Sequence, residues 1–497
     1  MTDPPISAPD GSAVTRRQFL KHSAQVGVGL AFVPSLLTSC GGTQVSLSPG
    51  TGQDPTHVFN VSAWEGAPDG RSREIWGYNK QFPGPEIRAK AGDQLRIQVN
   101  NQLPDPTSIH WHGMKQLGTW KMDGVTGVSR EPIPAGESFT YVFKAEPTGT
   151  HMYHSHTGIQ YSEGLVGPLI IDPESNPYQY DSDEVVMISD WFQEAGPVLM
   201  EKIRTGAFDK PEKGASSKKS KMKMDVGDVP FQSALFNGKG RGPGQPNAEL
   251  STFQVDQGER VRFRFINSSS TYAFRLQFDQ HKMTVIECDG QPMRPVEVDN
   301  LWIDIGERFD VIVEAKQKGT HWIRIGTLDG NEGRAVLRYK SSADAEPADS
   351  PVKWGPRTLG LNDLRSPEPV TLASDARVVK LVCGGTMQPY GWTLNGQSWP
   401  KADPIMVSEG ESIRFELENP TGMNHPFHLH GHFFHLLGKP GELNLKDPAK
   451  KDSITVPTKS ARTIEWVADN PGHWFFHCHI EWHLAVGMAR VIQYKGL

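Results

Sequence analysis

The sequence predicts an all-β protein of three β-sandwich domains in series, and three observations carry that prediction. One strand pattern (Gly, acid, any, apolar, Arg, apolar, any, apolar, any, Asn) occurs at residues 92–101, 258–267 and 410–419. The copies start a domain's length apart, which excludes a short-period solenoid and implies three related units. The 497 residues include 50 Gly and 38 Pro with 22% charged residues, a composition for many short strands and tight turns rather than for helical bundles or coiled coils. At roughly 150 residues per domain, the length leaves room for about three.

Residues 1–40 stand apart from the fold. Thr15-Arg16-Arg17-Gln18-Phe19-Leu20-Lys21 leads into an apolar stretch, residues 24–37, that is too short and interrupted to span a bilayer. This resembles a twin-arginine export signal. It ends in Leu37-Thr38-Ser39-Cys40-Gly41, which resembles a lipobox and makes Cys40 a lipid anchor to the membrane; ordinary signal-peptidase cleavage with Cys40 unmodified is the alternative. The expected location is periplasmic, or membrane-anchored outside the cytoplasm. The domains are expected at 56–173, 174–345 and 346–497. In each copy of the strand pattern Gly and an acid form a turn, then apolar and polar positions alternate, as in a strand with one face on a core. Residues 209–228, with Lys218-Lys219-Ser220-Lys221-Met222-Lys223-Met224, read as a mobile loop of the second domain. With 51 Lys+Arg against 57 Asp+Glu and no basic block, a nucleic-acid partner is not expected. Four cysteines cannot form a disulfide scaffold.

The 18 histidines are crowded, five between 110 and 156 and nine between 425 and 483. They form four motifs: His110-Trp111-His112, His154-Ser155-His156, His425-Pro426-Phe427-His428-Leu429-His430, and His477-Cys478-His479 followed by His483 and Met488. On a strand, residues i and i+2 share a face, so each His-X-His aims two imidazoles the same way. Cys478 then points opposite to His477 and His479, and one tripeptide touches two sites. A thiolate, two imidazoles and a weak thioether make a blue copper site, a set supplied by Cys478, His425, His483 and Met488. The eight remaining imidazoles are too many for one ion and suit a cluster of about three, half from each terminal domain and therefore at their interface. The second domain, without a motif, is the spacer.

With Phe82-Pro83-Gly84-Pro85, Asp190-Trp191-Phe192, Asn237-Gly238-Lys239-Gly240 and Asn395-Gly396 added, the chain after its leader resembles a multicopper oxidase of the three-domain laccase type. The resemblance implies cupredoxin-like Greek-key sandwiches and four copper ions. Type 1 copper would take His425, Cys478, His483 and Met488, and type 2 copper His110 and His428. The type 3 pair would take His112, His154, His156, His430, His477 and His479. The implied reaction is one-electron oxidation of a small reducing substrate at type 1 and reduction of O2 to water at the cluster, by a monomer.

Proton supply points to acids near the cluster. Asp123, in Met122-Asp123-Gly124, matches a family carboxylate near type 2, and Glu481 one near type 3; a turn-forming Asp-Gly and a solvated helix-start acid are the plainer readings. His151, His432, His435 and His473 are read as packing or supporting residues, and His57, His281 and His321 as surface or satisfied core. Cys288 and Cys383, in apolar segments, read as buried thiols rather than a disulfide. Met222 and Met224 read as part of a solvated loop. Phenols or aromatic amines are the expected substrates. The alternative is a metallo-oxidase of Cu(I), Fe(II) or Mn(II), which needs carboxylates or Met beside type 1, and Thr421-Gly422-Met423-Asn424 supplies no carboxylate. A non-enzymatic copper carrier would lack cluster ligands, and a nitrite reductase the His-Cys-His triplet.

Overall fold

The three copies of the strand pattern fold as strands Gln94–Asn101, Arg260–Asn267 and Ser412–Asn419 of a computed structural model that describes residues 54–209, 227–343, 345–441 and 446–497. The leader with Cys40, and Met222 and Met224 in the loop, lie outside the described residues. Each copy has the same neighbours. A parallel partner flanks it on one side (His57–Gly66, Ser182–Trp191, Arg377–Met387) and an antiparallel one on the other (Ser138–Lys144, Arg308–Glu314, Ser460–Val467). The opening glycines adopt φ of 90°, 91° and 79°, a region that costs glycine no steric clash. Their N–H groups donate to the carbonyls of Ala145, Ala315 and Ala468. The closing asparagines accept from the amides of Leu103, Ser269 and Thr421, at 3.0 Å each. They donate to the carbonyls of Ile133, Ile303 and Val456, so one side chain satisfies backbone groups that the strand end leaves open.

A second repeat emerges at the hairpins. Asn79, Asn237 and Asn395 have φ of 55°, 47° and 52°. Each accepts from one strand amide (Asn60, Met187, Val382) and donates to a nearby carbonyl (Val58, Val185, Lys380). The Asn-Gly signal of a two-residue turn is present in the second and third copies only, because the first carries Lys80.

Six sheets pair into three sandwiches: four strands on four, then six on five twice. The fold class is the expected one. Phe59, Ile97, Trp111, Tyr153 and Leu169 belong to the first core, and Phe263, Leu276, Val311 and Ile323 to the second. The third core holds Cys478 and Met488 and takes in Phe192 and Ile305 from the middle sandwich. The middle copy departs from a one-faced strand. Arg262 and Arg264, at its polar positions, are 2% and 1% exposed. They pair with Asp310 and Asp183, and Arg264 also donates to Thr150 Oγ1 of the first sandwich. Both faces are buried because these arginines find partners. Cys288, Cys383 and Cys478 are free and buried. Among the described residues no helix is long and apolar enough to cross a membrane.

Candidate metal centres

Strand His425–Leu429 sorts its histidines by face. It pairs antiparallel with His473–Cys478, Phe427 opposite Cys478 and His428 opposite His477. Opposed residues share a face, so His425 and Phe427 lie with Cys478, and His428 lies with His477. The three-residue spacing between His425 and His428 thus divides one strand between two sites.

At the first site Cys478 Sγ is 3.8 Å from His425 Nδ1 and 3.4 Å from His483 Nδ1, and the two nitrogens are 3.1 Å apart. Two donors held about 2.0–2.3 Å from one tetrahedral ion would sit roughly 3.3–3.6 Å apart. His483 is brought back by one helical turn, Glu481–Ala485. Gly487 then reverses the chain at φ 95°, where a Cβ would meet the Trp399 carbonyl at 2.4 Å. The Met488 amide donates to the His483 carbonyl, and the Cys478 amide to the Met488 carbonyl. Met488 is wholly buried. With Nδ1 turned to the thiol, the outer Nε2–H of His425 donates to Thr421 Oγ1 at 2.9 Å, and the outer Nε2 of His483 lies 2.9 Å from Asp228 Oδ2 without the alignment of a hydrogen bond. Asp228 also accepts from the Tyr390 hydroxyl. Trp392 lies 4.4 Å from the His483 ring.

The second site is built from both terminal sandwiches. Strand His110–His112 sets His110 opposite His154. His110 stacks on His430 at 3.8 Å and His112 on His428 at 3.6 Å. His477 Nε2 lies 3.0 Å from His430 Nε2 and 3.4 Å from His156 Nε2, and His479 Nε2 lies 3.2 Å from His112 Nδ1. Burial holds His112, His154, His156, His428, His430, His477 and His479 below the ordinary histidine range, hence neutral with free lone pairs.

The donor set fits metal. Nε2 of His110, His154 and His428 and Nδ1 of His479 are buried without a hydrogen-bond partner. The Nδ1 atoms of the first three donate to the carbonyls of Asp123, Ser155 and Asp452. One nitrogen fixed by an acceptor and the other bare is the arrangement of ligating histidines, and a bare buried nitrogen is otherwise costly. Five donor groups lie within 4.8 Å: His110 with His112 and His154, His110 with His428 and His430, His156 with His430 and His477, His425 with Cys478 and His483, and His112 with His428 and Asp452. The middle sandwich supplies no histidine or cysteine to them.

Of the expected acids, Asp123 touches the cluster and Glu481 is held one residue away, on the backbone of Tyr161. Asp123 Oδ1 is 3.1 Å from His110 Nδ1, and Oδ2 accepts from His430 Nδ1 at 2.9 Å. Gly124, at φ 83°, allows that turn, since a Cβ there would meet the Ile109 carbonyl at 1.7 Å. Glu481 begins a helix but is only 5% exposed, and it accepts from the Tyr161 and Ser162 amides at 2.9 and 3.0 Å. Burial pushes its carboxyl up to about 8. The Tyr161 ring packs against His154 and His479. His432 supports the His430 carbonyl and Tyr494. His151, His435 and His473 enter no donor group.

Sequence reasoning missed Asp228, Asp452, Ser453 and Arg308. Ser453 Oγ reaches His112 Nε2 at 3.2 Å and His428 Nδ1 at 3.3 Å, beside Asp452. Burial opposes the Asp452 charge, yet Arg308 holds its carboxyl well below the usual carboxylate range. None of the four sits in a motif, and each reaches its site only through the fold.

Three family models, each described as multicopper oxidase, match residues 60–176, 182–342 and 374–496. The multicopper oxidase MmcO of Mycobacterium tuberculosis is 31% identical over 98% of this chain and 97% of its own. The laccase of Pycnoporus cinnabarinus is 32% identical, with 86% of this chain and 87% of its own covered. Among solved structures, the laccase from Botrytis aclada aligns at TM-score 0.75 and 30% identity, over 88% of this chain and 87% of that one. Fet3p, a multicopper oxidase that functions in iron import, aligns at 0.76 over 88% and 90%, its 24% identity speaking for the fold alone.

Proposed function

The chain belongs to the multicopper oxidase family, an oxidoreductase class that binds copper and uses O2 with a reducing substrate, and from that premise we propose a laccase-like oxidase of phenols and aromatic amines. The observation that carries this reading is the tripeptide His477-Cys478-His479, whose centre belongs to one donor set and whose ends belong to the other. Copper bound there, one ion at the Cys478 set and three among the eight histidines, supplies one-electron oxidation at the first and four-electron reduction of O2 to water at the second. The chain's own part is to join the two sets covalently over one residue and to keep the imidazoles oriented. Asp123, buried against His110 and His430, and Glu481, buried on the backbone of Tyr161 whose ring meets His154 and His479, are proposed to move protons to the cluster.

On the substrate side, Asp228, Tyr390 and Trp392 close over the His483 imidazole, and Tyr390 is part-exposed. A phenol docked there can pass its proton towards Asp228 as its electron leaves through His483. Asp228→Asn is expected to lower kcat/KM for phenols roughly 10- to 100-fold, the size of one lost charge-assisted hydrogen bond. The blue absorption should be intact. Steady-state kinetics with a phenol series decide it, and unchanged values would exclude Asp228 from substrate handling.

The same carboxylate favours the second reading, a metallo-oxidase of Cu(I), Fe(II) or Mn(II), because a hard cation needs oxygen ligands. Against it, the His425 side offers the Thr421 hydroxyl and no carboxylate. Oxygen uptake by copper-loaded protein against phenols, Fe(II), Cu(I) and Mn(II) separates the two. Turnover of metal ions alone would overturn the laccase reading.

Met488, wholly buried and hydrogen-bonded through its backbone to Cys478 and His483, is proposed as the residue whose thioether would neighbour a copper held by the Cys478 set. A thioether donates more than an aliphatic chain and so stabilises the oxidised ion. Met488→Leu should therefore raise the potential of the blue site in a redox titration. No change, or a fall, would reduce Met488 to core packing.

Export by the twin-arginine route with Cys40 as lipid anchor, and a monomeric state, remain proposals that rest on Arg16-Arg17 and Leu37-Thr38-Ser39-Cys40 and on the family resemblance.

A further inference from the structure

Two carboxylates flank the histidine cluster, Asp123 in direct hydrogen bond to an imidazole and Asp452 through the Ser453 hydroxyl. Asp123 of the first sandwich faces His110 and His430. Asp452 of the third has Oδ1 3.5 Å from His112 Nε2 and 3.6 Å from His428 Nδ1. Each also offers its backbone carbonyl to one of these imidazoles, His110 at 2.9 Å and His428 at 3.0 Å. Each faces a stacked pair made of one ring from either terminal sandwich.

The correspondence breaks at one residue. Arg308, on the middle sandwich and wholly buried, donates Nη1 to Oδ1 and Nη2 to Oδ2 of Asp452, both at 2.6 Å. Among the described residues no lysine or arginine pairs with Asp123. The guanidinium is itself fixed: Nε donates to the Thr150 carbonyl of the first sandwich and Nη1 to the Gly306 carbonyl, each at 3.0 Å. Asp289 accepts from the Arg308 amide through Oδ1, and through Oδ2 from the amides of Asp452 and Ser453. One arginine thus ties three sandwiches together at the cluster.

We propose that Arg308 is a positioning residue for the oxygen-reducing cluster, holding Asp452 so that His112 and His428 keep the orientation and tautomer that present Nδ1 and Nε2 to metal. The inference rests on the copper-cluster reading of the eight histidines. A planar fork that meets both carboxylate oxygens fixes the carboxylate plane, which a point charge cannot do. A carboxylate fixed in plane holds the Ser453 hydroxyl, which donates to Oδ1 at 2.9 Å and so turns its oxygen as an acceptor towards His112 Nε2 and His428 Nδ1, and losing such a partner weakens metal binding roughly 10- to 100-fold. The middle sandwich, without a ligand of its own, then governs occupancy of the position that His428 shares with His110.

The test uses the full chain carrying Arg308→Lys, titrated with Cu(II). Expected is a 10- to 100-fold loss of affinity at that position, read as loss of the type 2 electron paramagnetic resonance signal and of one copper per chain. The blue absorption of the Cys478 set should keep its intensity. Asp452→Asn should give the same selective loss, and the double variant should be no worse than either single one. If Arg308→Lys fails to fold, Asp452→Asn alone carries the comparison. An unchanged type 2 spectrum with full copper content overturns the proposal, as does a parallel fall of every copper signal with Tm, which marks a merely structural clamp. A parent chain that binds a single copper overturns the cluster reading itself, and the proposal with it.

Discussion

Cys478→Ser is expected to abolish the blue absorption and to cut phenol oxidation by roughly a thousandfold or more, as when one member of a group acting as a unit is removed. Sγ lies within 3.8 Å of both imidazoles of its set. Burial pushes the thiol well above its ordinary range, so the thiolate exists there only with a metal to stabilise it. A serine oxygen is neither soft nor readily deprotonated and offers copper little. The cluster should keep most of its copper, because His477 Nδ1 donates to the Cys478 backbone carbonyl, not to its side chain, and that carbonyl survives the change. Copper analysis with optical and paramagnetic resonance spectra checks both halves. A variant that stayed blue would overturn the assignment of Cys478.

Asp123→Ala should separate electron uptake from oxygen chemistry. Substrate reduction of the blue site should proceed nearly as fast as in the parent, because His425, Cys478 and His483 have no contact with Asp123. Reoxidation by O2 should slow by roughly 10²- to 10⁴-fold, the range for a lost general acid. The plainer reading of Asp123 as a turn residue makes a different demand. Its amide donates to the Trp120 carbonyl to close the 3-10 turn Trp120–Met122, and its own carbonyl accepts from His110; alanine keeps both. Stopped-flow measurement of the two half-reactions decides. Slowed reduction with normal reoxidation would refute the proton role, and loss of folded protein would favour the turn.

The sequence by itself determined the residues that repeat at short period. A strand alternates its faces every residue, so His110-Trp111-His112 and His477-Cys478-His479 declare their division of labour in any extended conformation. The three Gly-to-Asn patterns declare three related sandwiches, because the same turn and the same loop need the same two residues at their ends. Where the local code varies the signal fades: Asn79 does what Asn237 and Asn395 do, but Lys80 hides it.

Tertiary structure alone decided what meets across sandwiches. Nothing in the chain order says that His112 stacks on His428 rather than on His430, that Asp228 reaches His483, or that Arg308 holds Asp452. Nor does the alternation of Arg262 and Arg264 reveal that both faces of their strand are buried. The reason is physical: a polar residue reads as solvent-facing until its partner is known, and partners hundreds of residues away are brought to it only by the packing of one sandwich on another.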